Sequence, residues 1–252
     1  MNYSFTNDEL FVMCIIHGCD EVTGLASPFV AMSDEDEREL FRRIADSLKD
    51  KDVVFISDGS YKLKDEYESL INLMTKPNVA YILVDEKDLE NEFVFIVRKQ
   101  SAKMLNKELT DCEIETYEEI EKLKDYFRQK YRNIRVSQSP VQYMISITSD
   151  IMEQAIGKVK DGDMDMALKV LSSDEFDRDE MKGMLEAIVY PEQSETIIGR
   201  SYEGRMSTES IVKICNSAEG TWILKISTQD ECRNTMVFKA TAEDVTKVLF
   251  EF

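Results

Sequence analysis

The chain has 252 residues, of which 43% are apolar, which is enough to bury a core and excludes a disordered tail. Fifty Asp and Glu against 31 Lys and Arg give a formal charge of −19, which argues against a surface that follows nucleic-acid phosphates. The single His excludes most His-based chemistry, and five unevenly spaced Cys indicate reduced thiols rather than a disulfide framework.

The first predicted element is a short helix that is apolar on every side. Thr6 and Glu9 have the spacing of a capping box, and Gly18 provides a left-handed stop. Because every residue from Leu10 to Ile16 is apolar, the helix must be buried. This run is too short to cross a membrane, and the chain does not begin like a secretory signal. We therefore expect a cytoplasmic protein without membrane insertion.

Helices and strands alternate in the rest of the first half. In chain order, the pattern predicts a helix capped by Ser33, a buried strand over Val53–Ile56, a helix from Asp65 to Met74, strands over 79–84 and 92–97, short strands around Ala102 and Cys112, and a helix capped by Thr116. The acidic segment from Asp85 to Asn91 is expected to be a long polar hairpin loop.

The second half begins with a helical region and ends with strands. Residues from Ser139 to Val189 are expected to be helical throughout, since apolar residues recur there at helical spacing. The elements expected after Pro191 are strands over Thr196–Tyr202, Ser210–Cys215, Thr221–Ile226 and Thr235–Lys239, and a last helix capped by Thr241.

The two halves end alike, because the segment from Thr116 and the one from Thr241 share a cap, an acidic first turn and a Lys. This match indicates either a duplication or two junctions of similar chemistry. We predict an α+β fold in which pseudo-duplicated α/β halves share a largely antiparallel central sheet, with a helical subdomain between them. The expected organisation is a single compact domain, 1–252, with an N-terminal half (1–135), a helical subdomain (136–190) and a C-terminal half (191–252).

No pattern supports an enzyme, a cofactor or a metal. Cys14-x-x-His17-x-Cys19 has too few ligands for zinc, and core thiols beside a helix-end His explain it better. The acids from Asp161 to Asp165 resemble the start of a calcium loop, but Met166 replaces the required Gly, so they are expected to cap a helix. Glycine-rich phosphate loops and nucleophile elbows do not occur.

Two regions are candidates for binding a partner. Met164, Met181 and Met184 belong to a Met-rich helical region, which is either a soft binding surface or, as their helical spacing favours, ordinary core. In the loop after Asp85, Leu89 is the only large apolar residue, and it either anchors a partner or folds back onto the sheet. The acids around Leu89 that would rim such an anchor are Asp85, Glu86, Asp88 and Glu90.

The two ends of the chain resemble the EspG family, the cytosolic chaperones of type VII (ESX) secretion. The match consists of Phe5-Thr6-Asn7-Asp8-Glu9-Leu10, Gly18 and Gly24-Leu25-Ala26-Ser27-Pro28 at the start, and of Thr221-Trp222-Ile223-Leu224, 235–239 and 241–252 at the end. The resemblance implies a protein that binds the tip of helical export substrates through the sheet's long loop and the C-terminal helical bundle. The counterparts by position are the loop from Asp85 to Asn91 and the helices within 139–189.

The leading hypothesis is therefore a non-enzymatic chaperone or adaptor for an exported helical protein or its heterodimer. Strong acidity favours solubility and fits this role. The alternative is an acidic immunity protein that neutralises a basic toxin by charge complementarity.

Overall fold

The computed structural model describes residues 1–85, 91–107, 110–131, 144–171, 177–203, 206–218, 220–227 and 234–240. Seven helices and twelve strands lie within these ranges. Ten of these strands build a large antiparallel central sheet and the other two form a separate hairpin, so the predicted α+β class is confirmed. By its internal contacts the chain divides into unit 1 (Met1–Ile82 with Leu89–Leu123) and unit 2 (Leu83–Asp88 with Lys124–Phe252). The single domain with boundaries at 135 and 190 stays a prediction.

Unit 1 places an antiparallel meander against helices. Its elements are β1 (Asn2–Thr6), α1 (Asn7–Ile16), α2 (Asp34–Asp50), β2 (Val54–Ser57), β3 (Ser60–Leu63), α3 (Asp65–Thr75), β4 (Val79–Asp85), β5 (Asn91–Val97), β6 (Gln100–Lys107) and β7 (Asp111–Tyr117). The strand order is β1-β7-β6-β5-β4, so the N-terminal strand is added beside the last one. Asn2 pairs with Glu115 in that register, and Thr6 pairs with Asp111.

The start of α1 confirms the predicted capping box. The Glu9 N–H donates to the Thr6 hydroxyl at 3.2 Å, and the Thr6 N–H donates to Glu9 Oε2 at 3.2 Å. The five consecutive residues Leu10–Cys14 are all buried, so the helix has no wet face. A local pattern of cap and apolar run therefore specifies this element correctly.

The expected buried strand at Val53–Ile56 is only half right. Val53 and Val54 are buried, but Phe55 is 43% and Ile56 is 52% exposed. These residues belong to a separate two-stranded hairpin, β2 with β3, which turns at Asp58 (φ 53°) and Gly59 (φ 75°). Consecutive positive φ values are those of the tight hairpin turn that an Asp-Gly pair favours. A lone hairpin covers little area, so its apolar side chains stay partly in water.

Unit 2 places three helices on one face of a second antiparallel meander. Helix α4 (Ile120–Lys130) leads into the unit, and the elements after it are β8 (Met144–Thr148), α5 (Ser149–Lys160), α6 (Met164–Leu171), α7 (Arg178–Val189), β9 (Gln193–Glu203), β10 (Met206–Ser217), β11 (Gly220–Ser227) and β12 (Asn234–Lys239). The strand order is β9-β10-β11-β12-β8.

Two sequence predictions near these elements are wrong. Residues 139–189 are not helical throughout, because β8 pairs antiparallel with β12 and sets Met144 opposite Phe238. Ile145, Ile147 and Thr148 are β-branched and suit a strand. Thr116 does not cap a helix either, since it lies within β7 and α4 begins at Ile120. The helix expected after Thr241 lies outside the described residues.

The core of unit 2 lies between the helices and the sheet. Trp222 on β11 is 2% exposed and contributes its indole to a cluster with Val237 of β12. The helices contribute Ala155, Leu168 and Met184 to the same cluster. All three helices are therefore fixed by one apolar face, and their other faces point outward.

Candidate functional site

The methionines of the helical region lie at two depths. Met181 is 7% and Met184 is 0% exposed, and both belong to the core cluster of unit 2. Met164 is only half-buried, and Met166 is 44% exposed. Met181 and Met184 therefore serve packing, whereas Met164 is accessible from outside.

The link between α5 and α6 explains the position of Met164. Helix α5 ends at Lys160, and Gly162 adopts φ 84°, a left-handed conformation that reverses the chain at low cost. The Asp163 carboxylate then accepts a hydrogen bond from the Met166 N–H at 3.0 Å. This contact caps α6, so the predicted capping role of the acids is confirmed for Asp163. Met164 becomes the first residue of α6, at the corner of the helix pair.

Two surface cavities in unit 2 share Gly162 and Met164. The first, here the charged cavity, has a volume of about 420 Å³ and lies between the starts of α6 and α7. The second, the tyrosine cavity, has a volume of about 490 Å³ and extends past Tyr190 to the end of β10. We refer to the two together as the Met164 cavities. Among the sequence candidates that the structure describes, Met164 is the one that lines them.

The charged cavity has an apolar base and an ionic rim. Leu168 and Met164 supply the apolar atoms, and the rim consists of Asp163, Asp165, Arg178, Asp179 and Lys182. The Arg178 guanidinium pairs with the Asp165 carboxylate and so connects α7 with α6. Both side chains of this pair are more than 60% exposed, at 67% and 79%, so the pair stays strongly solvated.

The tyrosine cavity is more apolar and its rim is acidic. Val159 and Met164 line its base, and Tyr190 remains 63% exposed although its hydroxyl donates to the Val159 carbonyl at 3.4 Å. Glu186 and Glu192 are the charged side chains that line it. An apolar centre with a polar rim is the usual composition of a protein interface.

The loop candidates are described only in part. Asp85, the last residue of β4, is half-buried and takes part in interactions. Glu86, Asp88, Leu89 and Glu90 lie outside the described residues. The anchor role of Leu89 therefore stays a prediction.

The Cys14–His17 cluster is explained by packing. His17 Nε2 lies 3.0 Å from the Asn72 amide oxygen, so the ring has a partner on α3. Burial, together with the nearby Cys19, raises the pKa of the Cys14 thiol to about 12. The fold therefore holds this thiol in its neutral form, as expected for a small apolar residue of the core. No group of three or more His, Cys, Asp or Glu in the described part of the chain is arranged to hold a metal ion.

Sequence reasoning missed Arg178 and Tyr190. Both lie at the ends of α7: Arg178 is its first residue, and Tyr190 follows its last residue. A signal for Tyr190 was present, because an aromatic residue between a helix end and Pro191 falls off the apolar stripe that the core uses. None of the described helices is long and apolar enough to span a membrane.

Comparison with known proteins finds a similar fold but no similar sequence. No protein-family model and no curated protein matches the chain. A solved structure of the Mycobacterium tuberculosis type VII secretion system chaperone EspG5, in complex with the PE25–PPE41 dimer, matches with a TM-score of 0.66. The match covers 98% of this chain and 93% of that chain at 9% identity. The resemblance seen at the two ends of the sequence is thus confirmed as a likeness of fold: the chain folds like the type VII secretion chaperone EspG5 over nearly its whole length.

Proposed function

We propose that this protein is a cytoplasmic, non-enzymatic chaperone or adaptor for a type VII-like secretion system, and that it binds the helical tip of an exported protein or of its heterodimer. The observation that carries the proposal is the shared fold, which extends over 98% of this chain and 93% of a chaperone solved with its bound dimer. A likeness that spans both chains favours a similar working surface more than a likeness of one half would.

The Met164 cavities are the surface that we assign to the client. Their volumes of about 420 and 490 Å³ suit a few side chains from a helix end rather than a large flat partner. Burying one large apolar side chain there contributes about 1.5–3 kcal/mol. The flexible thioether of Met164 can adapt to different apolar side chains, as methionines at binding surfaces do.

The acidic rim of the tyrosine cavity prevents self-association of the protein when the client is absent. Glu186 and Glu192 surround the apolar base of the tyrosine cavity on a chain with a net charge of −19. Two copies of this surface would repel each other, so the free protein stays soluble with its apolar base open.

The first experiment identifies the client and then locates its site. The tagged protein is recovered from its host, and the bound proteins are identified by mass spectrometry. The purified client is then titrated calorimetrically against Met164→Asp and against Met166→Asp as the matched control. Both residues lie in the first turn of α6, where an acid suits the helix dipole. Only Met164 lines the cavities.

We expect Met164→Asp to weaken client binding by about tenfold or more, the equivalent of about 1.4 kcal/mol, and Met166→Asp to leave it unchanged. Equal loss in both variants would contradict the site. Recovery of a basic toxin in place of a helical export substrate would contradict the function and favour the immunity alternative.

The loop provides a second, independent test. If Leu89 anchors the client, Leu89→Asp should change the free energy of unfolding by less than about 0.5 kcal/mol and weaken binding about tenfold. If Leu89 instead folds back onto the sheet, the same substitution destabilises the protein and leaves the affinity of the folded molecule unchanged. Thermal unfolding and calorimetry on one preparation separate the two.

A further inference from the structure

Helix α1 ends in a turn that folds the chain back against the last residues of the helix. The Gly18 N–H donates to the Ile15 carbonyl at 2.8 Å, and the Cys19 N–H donates to the Cys14 carbonyl at 2.9 Å. Gly18 has φ 88°, the left-handed conformation that this turn requires. Together these features define a Schellman motif, and the side chains at the positions of Cys14 and Cys19 frequently contact each other in that motif.

The hydrogen bond limits how far apart Cys14 and Cys19 can lie. Fixed bond lengths join each α carbon to its hydrogen-bonding atom, so the two α carbons are at most about 6.8 Å apart. Disulfide-bonded cysteines have α carbons about 4.4–6.8 Å apart. The nearby Cys19 also contributes to the raised pKa of the Cys14 thiol, as expected for neighbouring side chains. The reduced fold therefore meets the distance requirement for a disulfide.

The two thiols differ in their access to solvent. Cys14 is 1% exposed, whereas Cys19 is only half-buried, at the start of the loop after α1. The Cys19 thiol donates to the Glu21 carbonyl at 3.2 Å, and little is lost when this contact breaks because a thiol is a weak donor. A reagent in solution therefore meets Cys19 first, with Cys14 held beside it in the core.

The other two described cysteines lie in the sheet, opposite residues that are not cysteine. Cys112 of β7 is paired in register with Phe5 of β1 and Asn106 of β6. Cys215 of β10 is paired in register with Trp222 of β11. Within the described ranges, the end of α1 is therefore the place where backbone hydrogen bonding sets two cysteines side by side.

We propose that Cys14 and Cys19, here called the α1 dithiol, form a reversible disulfide by exchange with a small-molecule disulfide. In the first step the Cys19 thiolate attacks one sulfur of the reagent, the S–S bond of the reagent breaks, and one thiolate leaves and takes up the proton that Cys19 released. In the second step Cys14 loses its proton to solvent and its sulfur attacks Cys19 Sγ. The second thiolate then leaves and is protonated. The dithiol thus loses two electrons and two protons, and the reagent gains them.

This disulfide would join the end of α1 to a loop that the fold already holds in place. The Gly24 carbonyl of that loop accepts from Asn106 Nδ2 at 2.9 Å, and the Ala26 N–H donates to Asn7 Oδ1 at 3.1 Å. Oxidation therefore requires no rearrangement of the loop. Neither thiol lines the Met164 cavities, so the α1 dithiol is independent of the proposed client site.

Tryptic digestion provides a direct readout of the α1 dithiol. The first Lys or Arg in the chain is Arg38, so the peptide 1–38 contains Cys14, Cys19 and no other cysteine. The reduced, folded full-length protein is incubated with glutathione disulfide. Its remaining thiols are then blocked with N-ethylmaleimide in urea, and the protein is digested without reductant. In mass spectrometry, the disulfide lowers the mass of the peptide by two hydrogen atoms and prevents addition of the maleimide.

We expect the peptide to carry one glutathione at first and to end as the internal disulfide. In Cys14→Ala the glutathione adduct should persist, and in Cys19→Ser the peptide should stay unmodified, because Cys14 is buried. Cys112→Ala is the matched control and should behave like the parent. Circular dichroism confirms that each variant is folded, and Cys14→Val replaces Cys14→Ala if that variant is not.

A comparison with the unfolded chain isolates the contribution of the fold. In one glutathione buffer, the ratio of disulfide to dithiol should be at least about tenfold higher in the folded protein than in urea, because the turn holds the two residues together.

Three outcomes would overturn the proposal. The first is a glutathione adduct at Cys19 that never closes in the folded parent. The second is a ratio no higher in the folded protein than in urea, because the turn would then not favour the bridge. The third is a dimer linked through Cys19 with Cys14 still reduced.

Discussion

Helix α1 of unit 1 and helix α6 of unit 2 are both short, and both have acidic first turns, yet their surroundings differ. Five consecutive residues of α1, Leu10–Cys14, are buried. Helix α6 buries only Ala167, Leu168 and Leu171, and leaves Met166 44% exposed. Helix α1 is therefore enclosed by the rest of unit 1, whereas α6 has one buried face and one face that is exposed to solvent.

This difference in burial decides what each helix can do. A fully buried helix such as α1 can contribute to stability but cannot contact a partner, whereas a helix with one exposed face, such as α6, can do both. The ion pairs follow the same division. Glu9 in α1 has a side chain that is 8% exposed and accepts from Lys51 at 2.6 Å, while both members of the Asp165–Arg178 pair are largely in water. Substitutions in α1 should therefore change stability, and substitution of the cavity-lining residue Met164 of α6 should change binding of the proposed client.

The largest expected effect comes from shortening a methionine in the enclosed helix. Met13 is 0% exposed, so Met13→Ala removes buried atoms and leaves a cavity. We expect the free energy of unfolding to fall by about 2–5 kcal/mol, and Met166→Ala to change it by less than about 0.5 kcal/mol. Urea unfolding of the two variants measures both values. Similar losses would show that α6 is as enclosed as α1.

The next effect concerns the buried carboxylate that begins α1. Glu9 accepts from the Thr6 N–H and also from Lys51 Nζ and the Ser47 hydroxyl. Glu9→Ala removes the reciprocal half of the capping box, and we expect a loss of about 1–2 kcal/mol in the free energy of unfolding. A double-mutant cycle with Lys51→Ala isolates the ion pair. Full stability in Glu9→Ala would mean that the apolar run alone positions the helix.

Alkaline pH tests how dry the interior of α1 is. Burial raises the pKa of Cys14 from 9.0 to about 12, so the fold favours the neutral thiol. The contribution of this thiol to the free energy of unfolding is fully present below pH 9. It is lost as the pH rises from 9 to about 12, because Cys14 ionises in the unfolded chain at a lower pH than in the folded protein. We expect a loss of about 1 kcal/mol from this group at about pH 10.

The control for this prediction is Cys14→Ala, which removes the titrating group. Burial also raises the pKa of Cys112 to about 11, so part of the pH dependence should persist in the variant. The free energy of unfolding of Cys14→Ala should therefore fall less steeply above pH 9 than that of the parent. Parallel curves would show that water reaches the thiol in the folded state.

An element of this fold can be predicted from the sequence when the residues that determine it lie close together in the chain. The cap and apolar run of α1 are local signals, and both were predicted correctly. The turn of the β2–β3 hairpin is also encoded locally, by Asp58-Gly59, but the apolar run Val53–Ile56 before it predicts a single buried strand. Strand β8 depends on β12, about ninety residues later in the sequence (Met144 with Phe238), and no local pattern reports such a partner.

The candidate site was predictable to the extent that it depends on helix periodicity. The spacing of Met181 and Met184 favoured core, and the structure places both there. Met164 belongs to the same Met-rich region but is not in the core. The turn at Gly162 places it at the first position of α6, at the corner between α5 and α6. Tyr190 and Arg178 come from helix ends, whose direction depends on the packing of α7 against the sheet. The spacing of apolar residues in the sequence does not show in which direction the ends of α7 point.

The smallest expected effect comes from the ion pair at the rim of the charged cavity. Asp165 and Arg178 join α6 to α7, but their side chains are 79% and 67% exposed, so water and salt screen the attraction. A double-mutant cycle of Asp165→Asn and Arg178→Gln should give a coupling energy below about 0.5 kcal/mol that disappears at high salt. The Glu9–Lys51 cycle provides the comparison, because its carboxylate is buried and its coupling should exceed this value and persist in salt. If the rim pair proved as strong as the Glu9 pair, the exposed face of α6 would be held rigidly by this ion pair. Its charges would then not be free to exchange partners with the client that we propose.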